Sequence, residues 1–319
     1  MRSSAALAAA LLAFATPASA TFPDVATLPP PLPARFIHDQ VWLTPRLGGR
    51  ELRIFTDTGG GWNAFDAALA QSLALPTIEA DIDGNKAELI DVPRFDGDTT
   101  IPPPPAHFME GRLMLVERGR LGDRDGSFGG RWFADGRWLF DYAAGTLHRL
   151  EATTAPPDCG IPLGFQTNDA GHRTMHFPSM MITVDGEPLD VLLDTGATAT
   201  LTETSAPHFD LPPGTDVGTS FIEHAVFERW TTRHPDWRVL DAADRKGDQR
   251  RRMIEVPRIT IDGHAVGPVW FAEQPPGSFQ KYMAGMMDRP TSGAIGGSAL
   301  RYFRMLLDYP AARAWFEPL

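Results

Sequence analysis

The tripeptide Asp-Thr-Gly follows a mostly apolar run twice in this chain. The first copy is residues 57–59 after the run 52–56, and the second is residues 194–196 after the run 189–193. Apolar runs this short are typical of buried strands rather than helices. An acid that directly follows a buried strand needs hydrogen-bond donors, because an isolated carboxylate is costly to bury. The glycine lets the backbone turn sharply and approach other backbone closely.

Two further landmarks follow each tripeptide, in the same order and with the same spacing between them. An apolar residue precedes two glycines at residues 128–130 and again at residues 295–297. Each glycine pair is followed by an Asp-Tyr, and Asp141 comes as far after Gly129 as Asp308 comes after Gly296. This matched order predicts an internal duplication of a unit of roughly 120–150 residues, arranged as two lobes rather than as a solenoid.

Asp-Thr-Gly followed by apolar-Gly-Gly and an apolar strand, twice in one chain, resembles the two-lobed aspartic peptidases of pepsin-like architecture, of an exported bacterial type. The short lobes are individually more similar to the retropepsin-like unit, and the resemblance covers about residues 36–319. It implies a mainly β, bilobal acid-protease fold with the active-site cleft between two similar lobes. It also implies that Asp57 and Asp194 are the catalytic pair.

The resemblance further implies a set of supporting residues around this pair. Hydroxyl–backbone hydrogen bonds of the two threonines would join the loops, and the apolar-Gly segments would pack beneath them. The implied supporting residues are Thr58, Gly59, Thr195, Gly196, Phe128, Gly129, Ile295 and Gly296.

Two carboxylates a few ångströms apart cannot both ionise easily, so such a pair shares one proton. The ionised acid can deprotonate a water held between them, while the protonated acid polarises a carbonyl and stabilises the oxyanion. This chemistry predicts an endopeptidase acting on peptide or protein substrates. It requires neither a metal nor a cofactor.

Two other interpretations fit parts of the pattern. Asp-Thr-Gly is also a turn motif, in which the acid caps backbone N–H groups. A bilobal peptide-binding protein that has lost catalysis would keep the same cleft. Gly60 and Ala197 follow the two tripeptides, whereas pepsin-like sites usually have a hydroxyl residue there. Since no tyrosine lies where a first-lobe flap tyrosine is expected, the predicted flap is residues 94–110, with Phe95 or Phe108 at its tip.

Residues 1–20 have the pattern of a cleaved secretory signal. Arg2 precedes an apolar run that is too short to span a bilayer, and the segment ends in Ala18-Ser19-Ala20. This pattern predicts cleavage after Ala20 and export to the periplasm or outside the cell. No later stretch approaches about 18 apolar residues, so no membrane span is expected.

The remaining chain divides at changes in composition. Prolines in residues 21–35 predict an extended arm. The first lobe is expected over residues 36–150, a linker over 151–172 and the second lobe over 173–319. The stretch from the tripeptide acid to a matched proline is longer in the second lobe (194 to 257) than in the first (57 to 93), so an insert is expected within 205–252.

Charge and cysteine content limit the partners further. The net charge of −11 argues against nucleic acid as a partner. Cys159, the single cysteine, excludes an intramolecular disulfide and lies in a turn-rich linker, where an incidental thiol is expected. His172 and His176 have no third ligand nearby in sequence, so no zinc site is predicted. We expect a monomer.

Overall fold

The structure, a computed structural model, describes residues 22–82, 84–97, 101–152, 154, 157 and 160–319. The chain is mainly β, with 42% strand and 16% helix distributed over several sheets. The expected signal segment 1–20 and Cys159 lie outside the described residues. Within the described part, none of the helices combines the length and apolar character needed to cross a membrane.

The first half of the chain builds one large sheet. Its strands are β1 (Ala34–Ile37), β2 (Gln40–Leu43), β3 (Arg46–Leu47), β4 (Arg50–Glu51), β5 (Ile54–Thr56), β6 (Asn63–Asp66), β7 (Ile78–Ile82), β8 (Asn85–Ile90), β9 (Leu113–Val116) and β10 (Gly126–Phe128). Eight of them pair in the order β1-β2-β5-β10-β6-β9-β8-β7, and β3 and β4 form a separate hairpin. Three short helices accompany them, α1 (Ala67–Ser72), α2 (Arg118–Leu121) and α3 (Gly130–Phe133).

The rest of the chain builds a second large sheet of nine strands, a five-stranded sheet and a separate pair of strands. The remaining strands are β11 (Arg137–Asp141), β12 (Thr146–Leu150), β13 (Ile161–Pro162), β14 (Ser179–Val184), β15 (Glu187–Leu193), β16 (Thr198–Thr200), β17 (Asp216–Gly218), β18 (Ser220–Glu223), β19 (Arg238–Lys246), β20 (Gln249–Val256), β21 (Ile259–Ile261), β22 (His264–Val266), β23 (Val269–Gln274), β24 (Gly293–Ile295), β25 (Phe303–Asp308) and β26 (Arg313–Pro318). The sheet order is β19-β20-β23-β18-β24-β15-β14-β21-β22, while β16 and β17 form a separate pair. The helices here are α4 (His224–Arg233) and α5 (Gly297–Leu300).

The two large sheets repeat one pattern of order and direction. Reading outward from the strand that precedes each Asp-Thr-Gly, β5-β10-β6-β9-β8-β7 corresponds to β15-β24-β18-β23-β20-β19. The first and third pairings in each series are parallel, and the others are antiparallel. β2 and β14 add an antiparallel neighbour on the other side. The strands before the two tripeptides therefore occupy the same place in both sheets.

A five-stranded sheet joins the halves, in the order β12-β11-β25-β26-β13. At its centre β11 pairs antiparallel with β25, so the two segments that end in the repeated Asp-Tyr lie side by side. Arg137 donates to Asp308 at 2.5 Å, and Arg304 lies 3.2 Å from Asp141, so each strand's arginine pairs with the other strand's aspartate. β13 shows that part of the expected linker 151–172 belongs to this sheet.

Large buried side chains hold the halves together. The main core is continuous through both halves and includes Trp132, Trp138 and Trp230, each at most 2% exposed. The arm before β1 lies against the joining sheet, where Phe22 and Leu28 pack on a smaller cluster that contains Trp315. Because residues of both halves share this core, burial of their apolar side chains stabilises the contact between the halves.

One helix begins later than its sequence predicts. The run 64–73 is expected to be helical, but residues 63–66 form β6 and only residues 67–72 are helical. The Asp66 side chain accepts a hydrogen bond from the Leu69 N–H at 2.7 Å, which makes Asp66 the N-cap. The buried place of β6 between β10 and β9 overrides the helical propensity of Ala64.

The expected flap tip at Phe95 is wrong. Phe95 is only 7% exposed and packs in the main core. The next residue explains this position, because the Asp96 carboxylate accepts hydrogen bonds from the Gly48 and Gly49 N–H groups at 3.1 and 2.8 Å. These bonds hold the segment against the β3–β4 hairpin. Phe108 is half-buried, with its ring 4.8 Å from that of His176 in an edge-on arrangement.

Candidate active site

The two Asp-Thr-Gly loops start from equivalent hydrogen bonds. The Asp57 N–H donates to the Phe128 carbonyl at 2.9 Å, and the Asp194 N–H donates to the Ile295 carbonyl at 2.8 Å. These bonds continue the parallel β5–β10 and β15–β24 pairings by one residue. The position of each acid is therefore set by a buried strand and by the apolar-Gly segment beside it.

The loops bring the two acids together. The carboxyl groups of Asp57 and Asp194 are hydrogen-bonded to each other. Each acid also accepts a bond from the N–H two residues later, from Gly59 to Asp57 at 2.9 Å and from Gly196 to Asp194 at 3.0 Å. The site is therefore a pair of carboxyl groups in contact, each oriented by its own loop.

The glycines are required by this close approach. A Cβ atom at Gly59 would lie 2.5 Å from Asp194 Cγ, and one at Gly196 would lie 2.2 Å from Asp57 Cγ. Real Cβ atoms do not approach other atoms so closely, because interiors are already packed to van der Waals contact. Each loop's glycine thus makes space for the carboxyl group of the opposite loop.

The threonines join the loops through buried hydrogen bonds. The Thr58 hydroxyl donates to the Leu193 carbonyl at 2.8 Å and accepts from the Thr195 N–H at 2.9 Å. In return, the Thr58 N–H donates to the Thr195 hydroxyl at 3.2 Å. Both threonines are fully buried. These contacts cross between the halves of the chain directly beneath the carboxyl groups.

The apolar-Gly segments pack beneath the loops. Phe128 and Ile295 are fully buried. A Cβ atom at Gly129 would lie 2.5 Å from the Gly60 carbonyl oxygen, and one at Gly296 would lie 2.1 Å from the Thr219 carbonyl oxygen. All the site residues selected from the sequence therefore lie within or directly under the paired loops.

Burial and charge make the pair asymmetric. Burial raises the pKa of Asp57, but its hydrogen bond with Asp194, the positive charge of Arg124 and backbone N–H groups oppose that rise. Burial and the adjacent charge of Asp57 raise the pKa of Asp194 well above its usual range. Asp194 is also the more deeply buried of the two. Both pKa values are therefore raised, and the pair holds one proton between its two carboxyl groups.

The residue after the first tripeptide has no room for a side chain. A Cβ atom at Gly60 would lie 2.6 Å from the Asp57 Oδ2 atom. A hydroxyl residue at this position would displace the carboxylate, so glycine is needed for the observed position of Asp57. In the second half the corresponding Ala197 is 1% exposed.

An apolar pocket of about 230 Å³ lies beside the Asp57 loop. Its lining combines residues 60–62 of the first half with residues 175–177, Tyr282 and Met286 of the second. Trp62 is 53% exposed and Tyr282 is 73% exposed, so two large aromatic surfaces are open to solvent here. Such a pocket suits a large apolar group of a bound molecule.

His176 in this pocket is buried and neutral over most of the pH range. Burial, together with the charges of Arg173, His107 and Arg131, lowers the pKa of His176 to about 4.

No third metal-ligating residue joins His176 within the described chain. The one group with suitable ligand spacing there is His224, Glu228 and Glu273. Arg252 pairs with both of its carboxylates and so already supplies them with a positive charge.

The sequence did not indicate Arg124 or the apolar pocket. Arg124 acts on the pair only because α2 and the short turn after it lead the chain back over β5. The pocket combines segments that are far apart in sequence, from Gly60 to Met286. A tryptophan directly after three glycines was the only local signal for the pocket.

Neither comparison with known proteins identifies a relative. No protein-family model matches the chain, and no curated protein matches its sequence.

Proposed function

We propose that this protein is an aspartic endopeptidase that hydrolyses peptide bonds with a water activated by Asp57 and Asp194. The observation that carries the proposal is the direct contact between the two carboxyl groups, one with a strongly raised pKa. Paired carboxyl groups that share one proton are a general solution for acid and base catalysis in one site. A turn motif alone would not require the two acids to meet.

The reaction follows from the two protonation states. Asp57 takes a proton from a water held at the pair, and the water oxygen attacks the scissile carbonyl carbon. Asp194 gives its proton to the carbonyl oxygen and stabilises the charge that develops there. The proton on Asp57 then passes to the amide nitrogen as the C–N bond breaks. The diol hydroxyl returns a proton to Asp194, which restores the starting state.

The surrounding contacts support these roles. The positive charge of Arg124 favours the ionised form of Asp57, which is the base in this scheme. Hydrogen bonds from Gly59 and Gly196 fix one oxygen of each carboxyl group. Fixed dipoles of this kind need no rearrangement during the reaction. The buried threonine bonds keep the two loops at a constant separation.

The proposal includes the bilobal acid-protease arrangement and the exported location expected from the sequence. The repeated strand order of the two large sheets supports paired lobes over residues 36–150 and 173–319. The apolar pocket, lined by both halves beside Asp57, supports a cleft that binds an extended peptide. The substrate is a peptide or protein, and one chain supplies both acids, so the active form is a monomer.

The test is cleavage of a mixed peptide library from about pH 3 to about pH 7. The proteins are the wild type, Asp57→Asn, Asp194→Asn and the matched control Asp262→Asn. Asp262 lies in a turn at a φ of 50°, which asparagine also adopts. We expect wild type and the control to cleave with a bell-shaped pH dependence, because only the singly protonated pair is active. Both dyad variants should be inactive.

Three results would contradict the proposal. Equal cleavage by wild type and both dyad variants would mean that Asp57 and Asp194 do not perform the chemistry. Peptide binding without cleavage at every pH would favour the non-catalytic bilobal peptide-binding protein instead. Loss of activity in Asp194→Asn alone would indicate a site built from two second halves in a dimer.

A further inference from the structure

Arg124 is a half-buried cation next to the catalytic pair. Its guanidinium carbon lies 4.0 Å from the centre of the Phe55 ring and 5.9 Å from that of Trp42. Among the residues that the structure describes, no side chain forms a hydrogen bond or an ion pair with this guanidinium. Its charge is nevertheless close enough to Asp57 to oppose the rise in the pKa of that acid.

The nearby acids are engaged elsewhere. The negative charges of Asp57, Asp216 and Asp123 are close enough to Arg124 to favour its protonated form. Asp123 pairs with Arg53 at 2.5 Å, and Asp216 accepts a hydrogen bond from Thr200 at 2.5 Å. A partly desolvated guanidinium without its own carboxylate is unfavourable unless a ligand supplies one. Burial accordingly lowers the pKa of Arg124.

The internal duplication provides a matched position for comparison. Arg124 lies four positions before Phe128, and Thr291 lies four positions before Ile295. The residue after each one makes an equivalent backbone bond, from Asp125 to the Arg53 carbonyl at 2.8 Å and from Ser292 to the Asp190 carbonyl at 2.7 Å. The cation of the first half thus corresponds to a neutral, buried threonine in the second.

The connection before each of these residues explains the difference. The connection from β9 to β10 covers only 117–125, whereas the one from β23 to β24 covers 275–292 and is about twice as long. The longer connection packs Phe279 and Met287 against Leu192, which lies two positions before Asp194. In the first half Phe55, two positions before Asp57, is covered by the side chain of Arg124 instead.

The surfaces on the two sides of the pair therefore differ in chemistry. On the second-half side, the cluster that contains Leu192 also includes Phe177, which lines the apolar pocket beside Gly60. On the first-half side, Arg53 and Arg124 lie over the rings of Trp42 and Phe55. A peptide bound across the pair would meet an apolar surface on one side and a cation on the other.

We propose that Arg124 determines substrate specificity by binding a carboxylate side chain, Glu or Asp, close to the scissile bond of the peptide. This inference rests on the proposed peptidase function and names the substrate class for the same site. The planar guanidinium matches a carboxylate with two parallel hydrogen bonds, and stacking on Phe55 fixes its plane. The substrate acid replaces the ion-pair partner that the guanidinium lacks.

The selectivity should depend on pH through the substrate itself. A glutamate side chain has an ordinary pKa of about 4.3, so it is neutral at low pH and resembles glutamine. The charged groups that face Arg124 are Asp57, Asp216, Asp123 and Arg53. Preference for Glu over Gln should therefore increase as the pH rises above about 4.3 and disappear below it.

The experiment compares two peptide pools that differ only in having Glu or Gln at the residues flanking the cleaved bond. Cleavage is measured with wild type, Arg124→Gln and the control Arg149→Gln, which removes an exposed arginine from the joining sheet. At about pH 6 we expect wild type and the control to prefer the Glu pool by roughly tenfold or more, as a charge-assisted hydrogen bond provides. In Arg124→Gln the ratio of the Glu-pool rate to the Gln-pool rate should fall to about one, at a lower absolute rate because Asp57 loses a charge that favours its ionised form. Arg124→Glu should shift the ratio towards a Lys pool.

Binding separates this inference from the proposed function. The same pools are titrated against Asp194→Asn with and without Arg124→Gln, so that no turnover is needed. Tighter binding of the Glu pool that depends on Arg124 supports the subsite even if no cleavage occurs. Equal binding and equal cleavage of the Glu and Gln pools by proteins that retain Arg124 would overturn it. A preference that persists in Arg124→Gln would overturn it as well.

Discussion

Removing the hydroxyl of Thr58 should destabilise the protein more than removing that of Thr195. In Thr58→Ala the Leu193 carbonyl loses its donor and the Thr195 N–H loses its acceptor, and both groups are buried. Each buried polar group left without a partner costs about 1–3 kcal/mol, so the expected loss for the two groups is roughly 2–6 kcal/mol. In Thr195→Ala only the bond from the Thr58 N–H, at 3.2 Å, is lost. That loss should be about 1–3 kcal/mol.

Thr58→Ser is the matched control for this prediction. Serine keeps the hydroxyl with both hydrogen bonds and loses only a methyl group, which costs about 1 kcal/mol. Urea unfolding of the four proteins at one pH gives the free energies of unfolding from their midpoints and a common slope. Equal losses in Thr58→Ala and Thr58→Ser, or a larger loss in Thr195→Ala than in Thr58→Ala, would refute the asymmetric hydrogen bonding described for the two loops.

Three further outcomes follow from the geometry and charges of the site. Gly196→Ala places a Cβ atom 2.2 Å from Asp57 Cγ, so it should abolish activity and lower the free energy of unfolding by about 1–3 kcal/mol. In the control Gly119→Ala the new Cβ atom meets no atom within 4 Å, so activity should be unchanged and stability unchanged or slightly higher through α2. Because the pKa of Asp194 is raised on folding, wild type loses stability as the pH rises through that raised value. Asp194→Asn should therefore gain stability relative to wild type as the pH rises above about 4, the ordinary pKa of an aspartate, and a constant difference in urea midpoints would contradict this. The imidazole of His176 should titrate near pH 4 in NMR spectra, and titration near its ordinary value would contradict its burial.

The sequence indicated which residues lie at the paired loops because their constraints are local. A strand must deliver each acid, a glycine must follow within two residues, and an apolar-Gly segment must return beside the acid to accept its backbone hydrogen bond. The equal spacing from each glycine pair to its Asp-Tyr also indicated that the segments ending in Asp141 and Asp308 are equivalent. In the structure they pair directly in the joining sheet. Motif identity and spacing were therefore sufficient to predict which segments form the paired loops and the centre of the joining sheet.

Features that depend on tertiary packing were not predictable in the same way. Phe95 was one of the two expected flap tips, yet the hydrogen bonds of Asp96 hold that segment against the core. The position of Arg124 depends on the length of a connection whose counterpart in the second half is about twice as long. Periodicity and composition do not reveal which side of a strand such a connection will cover.

The most direct test of the central claim compares kcat/KM for wild type, Asp57→Asn, Asp194→Asn and the double variant on one cleaved peptide. Two acids that act as one proton-sharing unit should give a single-variant loss about as large as the double-variant loss. Both acids lie in the same hydrogen-bonded pair, so neither retains its function alone. The account predicts that all three variants are equally inactive. A single variant that keeps the wild-type rate, or two partial losses that add in the double variant, would contradict it.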